Sequence, residues 1–185
     1  MGLSAVTSLN IRVARTVTSE LPASLRDHIL GPFRGLVLVG PPGSGKTTLL
    51  RGVSALLSRA GKKVAVVDER MEIWPCGTSG FAAPVPLHCD VLSGCDKQEG
   101  ILSALRSLGP QVILCDELGD AEDFSAVCAG SKGGVSFVCT VHGDAVEAVE
   151  PRFCAPREQL AKSFSCIGLL AGASHPGVIK QVCWL

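Results

Sequence analysis

Two groups of residues in this chain have the types and spacing to do chemistry on a polyphosphate. The first is Gly40-Pro41-Pro42-Gly43-Ser44-Gly45-Lys46-Thr47-Thr48, which meets the pattern G-x-x-x-x-G-K-[ST]. Glycines let backbone N–H groups converge on phosphate oxygens and tolerate the positive φ that such a nest needs. Lys46 would reach the terminal phosphates, and the Thr47 hydroxyl would ligate Mg²⁺. The second group is Asp116-Glu117, which closes the apolar run Val112-Ile-Leu-Cys115. Asp116 would hold the Mg²⁺ hydration shell, and Glu117 would polarise the attacking water. Taken singly, the first is a glycine-rich turn that happens to precede a lysine, and the second is an ordinary strand end. Placed in this order in one alternating pattern, they read as the two halves of a nucleoside-triphosphate site.

Three further stretches join them as candidates. Asp68-Glu69-Arg70-Met-Glu72 follows a buried apolar run at the point where acids would face the ligand crevice of an open α/β sheet, the plainer reading being a solvated charged turn. Thr140 and His142 stand at the tip of the strand expected beside Asp116, where a polar side chain can sense the γ-phosphate. His88, Cys89 and Cys95 match no zinc spacing, so no zinc site is expected there.

These residues need a scaffold, and the hydrophobic pattern supplies one. Apolar runs at Leu36–Val39, Lys63–Val67, Gln111–Cys115 and Val135–Cys139 read as buried parallel strands. Helical periodicity covers Lys46–Ala60, with Leu49, Val53, Leu56 and Leu57 on one face and Gly61 as the stop. Asp96 caps a helix through Leu108, and further helices are expected at 122–129, 144–149 and 156–162. Pro22 opens a short helix over 23–30, and a half-buried strand is expected over 8–14. Strands 165–170 and 178–185 flank the turn Gly172–Gly177 as a carboxyl-terminal β-hairpin. Cys76–Pro86, rich in Gly, Pro and Ser, reads as a mobile loop. The fold class is therefore α/β, with a mostly parallel central sheet flanked by helices.

Composition bounds the function. The chain has 185 residues, about one domain, and a formal charge of zero, which provides no field to recruit nucleic acid or anionic lipid. Nine cysteines without a Cys-x-x-Cys pair suit a reducing cytosol. No apolar stretch approaches the roughly 20 residues needed to span a bilayer. A cytoplasmic protein is expected, peripheral to a membrane only through protein partners.

Several motifs together carry a family resemblance: residues 8–15, Gly40–Thr48, Val66–Ile73, Asp90–Cys95, Arg106–Pro110, Val112–Gly119 and Thr140–Gly143. Their combination resembles the stage III sporulation protein AA ATPases, which are similar in turn to type II and type IV secretion ATPases. The resemblance implies a RecA-like P-loop core at 32–185, preceded by a remnant of an amino-terminal domain at 1–31. It implies ATP and Mg²⁺ as ligands, and hydrolysis in a homo-oligomeric ring, hexameric in the family. The ring would power a secretion-like channel during endospore formation, docked on membrane-protein components. By the same resemblance Asp68, Glu69 and Glu72 form an acidic box and Thr140 with His142 a histidine box, while Arg106 and Arg70 are the arginines to test at the transition state, in cis or across a subunit boundary. Asp120 stands where relatives usually have arginine, which reverses a charge near the site. Without the larger amino-terminal domain of its relatives, the chain is expected to form at most a weak ring alone. Two other readings stand beside this one: a P-loop module of nucleic-acid metabolism, and a scaffold that binds ATP without turnover.

Overall fold

A computed structural model of the chain describes residues 21–77, 80–81 and 84–185. The strand expected over 8–14 lies outside them. Among the described residues the main sheet is built from β1 (Gly35–Gly40), β2 (Val64–Asp68), β5 (Cys89–Ser93), β6 (Val112–Glu117), β7 (Ser136–His142), β8 (Cys166–Leu170) and β9 (Ile179–Trp184). These seven strands lie in the order β5-β2-β6-β7-β1-β8-β9. All neighbours pair in parallel except β8 and β9, which form the expected antiparallel hairpin. A small separate pair, β3 (Cys76–Gly77) and β4 (Gly80–Phe81), lies within the stretch read as a loop.

The strands' two-residue alternation divides the core into two layers. Leu36, Leu38, Val64, Val66, Val112, Leu114 and Val138 face helices α1 (Ala23–Leu30) and α2 (Lys46–Arg59). Val37, Val39, Ala65, Val67, Ile113, Cys115, Phe137 and Cys139 face the other side. That side is covered by α3 (Lys97–Ser103), α4 (Ala121–Lys132), α5 (Val149–Phe153) and α6 (Arg157–Ser163). Central strands β1 and β2 are buried along their whole length, which is why they read as unbroken apolar runs.

Helix α2 follows its sequence pattern: Leu49, Val53 and Leu57 are buried against the sheet, and Leu56 packs at the margin. Fully burying such a leucine contributes about 1.5–3 kcal/mol. The expected helix after Asp96 forms and is capped as read, with the Asp96 carboxylate accepting from the N–H groups of Gln98 and Glu99 at 3.0 and 3.1 Å. It then widens into a π-helical turn over Ala104–Leu108 before Gly109. Helix α1 packs Leu25 and Ile29 into the α2-side layer, and its His28 Nε2 lies 2.7 Å from the Ser165 hydroxyl.

Strand β5 has no counterpart among the expected strands. It is an edge strand of mixed exposure, so Cys89-Asp-Val-Leu-Ser93 carries no clean apolar run. Strand β7 runs further than expected, to His142, which places Thr140 and His142 inside the sheet.

Candidate active site

The alternation that sorts the core also sorts the site. On the α2 face, Val64 and Val66 are followed by Asp68, Val112 and Leu114 by Asp116, Val138 by Thr140 and His142, and Leu36 and Leu38 by Gly40. Two acids, a threonine and a histidine thus reach the carboxyl edge of the sheet on the same side as the glycine loop. Register brings them close across the strands. Leu38 pairs with Thr140 and Gly40 with His142. Between Cys115 and Glu117 the β6–β7 register shifts, so that Glu117 pairs with Thr140. An unbroken strand would send two successive acids to opposite faces, but the extra residue at Asp116 brings Glu117 into register with Thr140, so both acids act on Lys46.

The glycine loop is built for close approach. Gly45 precedes α2 at φ 89°, a left-handed conformation, and a Cβ there would stand 2.3 Å from the Gly177 nitrogen. The Gly177 N–H in turn donates to the Ser44 carbonyl at 2.8 Å, so the β8–β9 turn braces the loop from one side. On the other side the Gly143 N–H donates to the Gly40 carbonyl at 3.4 Å. No side chain caps the amino end of α2, which leaves its first N–H groups and positive dipole end for an anion. Lys46 Nζ folds back onto the carbonyls of Gly40 and Pro41 at 2.7 and 3.0 Å. Burial lowers its pKa, and the carboxylates of Glu117, Asp116 and Glu72 work against that shift.

Asp116 is 7% exposed. Burial raises its carboxyl pKa, and the nearby Glu72 and Asp68 add to the rise, while a hydrogen bond from the Glu117 backbone and the charge of Lys97 oppose it. A cation at this carboxylate would offset the cost of holding it charged. Asp68 is fully buried and satisfied from within: its two oxygens accept from the N–H groups of Glu72 at 2.8 Å and Trp74 at 2.7 Å. Two hydroxyls at the site are buried without a hydrogen-bond partner, Ser44 Oγ and Thr140 Oγ1. Orphaned polar atoms of this kind call for a further group.

These features fit a nucleoside triphosphate with Mg²⁺. Among the described residues no cluster of three or more His, Cys, Asp or Glu side chains could hold a metal alone. A cation here would take Thr47, Asp116 and phosphate oxygens, the sparse protein ligation that Mg²⁺ favours.

Not every expected residue reaches the loop. Glu69 turns away to an ion pair with Lys97, at 3.4 Å. Arg70 is exposed in the turn after β2. Arg106 is exposed in the π-helical turn that leads to the amino end of β6. It lies nine positions further along the helix than Lys97 at the carboxyl edge, roughly 13 Å of rise. Within one chain, therefore, the structure does not bring Arg106 to the phosphate loop. Asp120 is engaged locally: its carboxylate caps α4, accepting from Glu122 and Asp123 N–H at 2.9 and 3.0 Å.

Two positioning cations escape a reading of the sequence. Arg51 on α2 donates from Nε to the Ile73 carbonyl and from Nη2 to the Glu72 carbonyl at 2.6 Å, tying the acidic loop to the phosphate-loop helix. Nothing in the local pattern marks it, since an arginine on a helix face is ordinarily solvated. Lys97 is 7% exposed and donates to the Glu117 carbonyl and to Asp123 Oδ2 at 3.3 Å. A signal for it exists: a lysine in the first turn of a helix opposes the helix dipole and wants a reason.

A glycine loop between β1 and α2, with acids gathered at the carboxyl edge of a mostly parallel sheet, defines the P-loop nucleotide-binding class. The fold is shared with the ATPase DotB of Legionella pneumophila (TM-score 0.64, 21% identity, 82% of this chain and 44% of that one). It is shared equally with the pilus retraction motor PilT, solved with bound ADP (TM-score 0.64, 16% identity, 88% and 49%). Within that class the chain belongs to the family described as sporulation stage III, protein AA, whose profile matches residues 2–183. It is 32% identical over 191 aligned residues to stage III sporulation protein AA of Bacillus subtilis (strain 168), a match covering 98% of this chain and 61% of that protein. The chain thus spans less than two thirds of the length of that relative.

Proposed function

We propose that this chain binds ATP with Mg²⁺ and hydrolyses it, as the motor core of a ring-forming subunit that serves a secretion-like channel in endospore formation. The observation that carries the reading is the phase of the sheet: Asp116, Thr140 and His142 all emerge on the face that holds Lys46 and the uncapped end of α2.

The residues divide the work. The loop amides from Gly40 to Thr48 and the Lys46 ammonium hold the β- and γ-phosphates, for which Lys46 exchanges its bonds to Gly40 and Pro41. Thr47 and Asp116 would hold Mg²⁺, which supplies charge neutralisation as the phosphoryl group leaves. Glu117 orients the attacking water. Thr140, with an unpaired hydroxyl fully buried beside Glu117 in register, and His142, opposite Gly40, report loss of the γ-phosphate to β7. Family membership supports ring assembly and membrane-protein partners, with the protein itself on the cytoplasmic side. The family's role in sporulation supports the channel. Among the described residues no helix is long and apolar enough to cross a membrane.

Steady-state phosphate release tests the reading. Wild type should turn over ATP, Lys46→Ala should neither bind nor hydrolyse it, and Glu117→Gln should bind it while turnover falls about 10²- to 10⁴-fold, the usual weight of a positioned base. Equal turnover by wild type and Lys46→Ala would exclude this site as the source, and nucleotide binding without any turnover would leave the scaffold reading.

A further inference from the structure

The water-orienting acid needs more than a strand end to aim it, because Glu117 is the last residue of β6 and follows a bulge. What holds that end comes from the opposite face of the sheet. Lys97 opens α3, whose Ile101 packs together with Ala104 of the following π-helical turn in the layer away from the phosphate loop. From there its ammonium donates to the Glu117 carbonyl and to Asp123 Oδ2. The same Asp123 oxygen accepts the Gly119 N–H at 2.7 Å. The turn that leaves Glu117 is therefore gripped at the carbonyl of residue 117 and at the N–H of residue 119 by one ion pair. A third contact leads to the acidic loop, where Glu69 lies 3.4 Å from Lys97 Nζ. Its neighbour Asp68 organises Glu72 and Trp74, and Arg51 holds the carbonyls of Glu72 and Ile73.

Burial alone would lower the Lys97 pKa, but the charges and hydrogen bonds of Asp123 and Glu69 outweigh it and raise the pKa above the ordinary lysine value. The ammonium therefore stays charged throughout the physiological range. A lysine kept charged in a buried place, with three partners on three different elements, acts as a fixed brace.

We propose that Lys97 is a positioning residue for hydrolysis: it sets the direction of Glu117 and links the acidic loop after β2 to the tip of β6, without touching nucleotide. The proposal rests on the ATPase reading above. Removing the brace lets Glu117 drift, and a displacement near 1 Å can cost about a hundredfold in rate while leaving binding intact. A purely structural ion pair makes a different prediction, since its loss would show in folding and be repaired by removing the orphaned charge.

The test compares wild type, Lys97→Met, Lys97→Arg and the double variant Lys97→Met/Asp123→Asn in kcat, in affinity for a fluorescent ADP analogue, and in Tm. The amide introduced by Asp123→Asn would still accept the Gly119 N–H while carrying no charge. We expect Lys97→Met to lose about a hundredfold in kcat with affinity changed less than about threefold. Lys97→Arg should recover part of the turnover. The double variant should recover Tm but not kcat, and it carries the comparison if Lys97→Met alone does not fold. Recovery of kcat together with Tm in the double variant overturns the proposal. So does a fall in affinity proportional to kcat, or turnover in Lys97→Met within about threefold of wild type. An inactive wild type would instead sink the ATPase reading on which it stands.

Discussion

Two loops leave the carboxyl edge of the sheet on the same face, one after β1 and one after β2, and they solve the same problem in opposite ways. Each turns the chain sharply and brings backbone N–H groups together. After β2 the anion is built in: the buried Asp68 carboxylate accepts from Glu72 and Trp74, and the Asp68 carbonyl accepts from Met71 and Gly94 at 3.2 and 3.1 Å. After β1 the loop is shaped by glycines and braced by Gly143 and Gly177, yet no side chain caps the helix it feeds. Its lysine rests on the loop's own carbonyls. The β2 loop satisfies its own N–H groups with its own carboxylate, whereas the β1 loop leaves the first N–H groups of α2 uncapped, and the proposed nucleotide site rests on that difference.

The sharpest way to break this comparison is to disable the β1 loop. Lys46→Ala removes a charge whose hydrogen bonds run to two loop carbonyls and whose charged neighbours are Glu117, Asp116 and Glu72 at the same sheet edge, so nucleotide binding should be lost while the melting temperature of the free protein stays close to wild type. Calorimetry of melting with and without ATP reads both quantities. If Lys46→Ala were still protected by ATP like wild type, the β1 loop would not be the site. Next in size is a backbone test of the same loop. Gly45→Ala places a Cβ 2.3 Å from the Gly177 nitrogen at φ 89°, so the loop and the β8–β9 turn must separate. Affinity should fall together with stability, the latter by about 1–3 kcal/mol for a strained left-handed residue. A stable Gly45→Ala protein with full affinity would show that the turn does not brace the loop.

Asp68→Ala tests the filled loop. It strips the acceptor from two N–H groups, one of them on the buried Trp74, at a cost of about 1.5–3 kcal/mol for a charged hydrogen-bond acceptor. Urea unfolding should show the loss, and ATP should stabilise the variant by as much as it stabilises wild type. A variant that kept its stability while ATP protection vanished would move Asp68 from the structural loop into the nucleotide site.

Much of this division is legible in the sequence. The parallel strands read as apolar runs because both their faces are covered, and the glycine pattern and the acids after Cys115 follow from chemistry that admits few residue types. The two caps, at Asp96 and Asp120, illustrate the limit. The first is marked by the periodic run behind it. The second reads from the family resemblance as a reversed charge near the site, and the structure adds that its carboxylate closes its own helix. Strand β5 escapes the pattern because an edge strand need not be apolar, and Lys97 and Arg51 escape it because their partners lie 20 or more residues away in sequence. Periodicity reports which face a residue occupies, and it is silent on what a long cation reaches across the end of a sheet.

The smallest expected effect concerns stability and separates the loops most finely. Asp116 has a raised pKa in the fold, chiefly through burial. The folded state therefore binds its proton more readily than the unfolded chain does, so the charged carboxylate destabilises the fold above the raised pKa, and that penalty fades as pH falls through it. Asp116→Asn should then raise Tm slightly at neutral pH without nucleotide, by less than the change at Asp68, and abolish the further rise that Mg²⁺ with ATP gives wild type. On the proposed reading the proton would compete with Mg²⁺ for the same oxygens, so protection by Mg²⁺ with ATP should weaken as pH drops through the raised pKa. Melting curves across pH, with and without Mg²⁺ and ATP, measure both effects. A lower Tm for Asp116→Asn in the free protein would mean that this carboxylate, like that of Asp68, is held for the fold, and the contrast between the two acids would be gone.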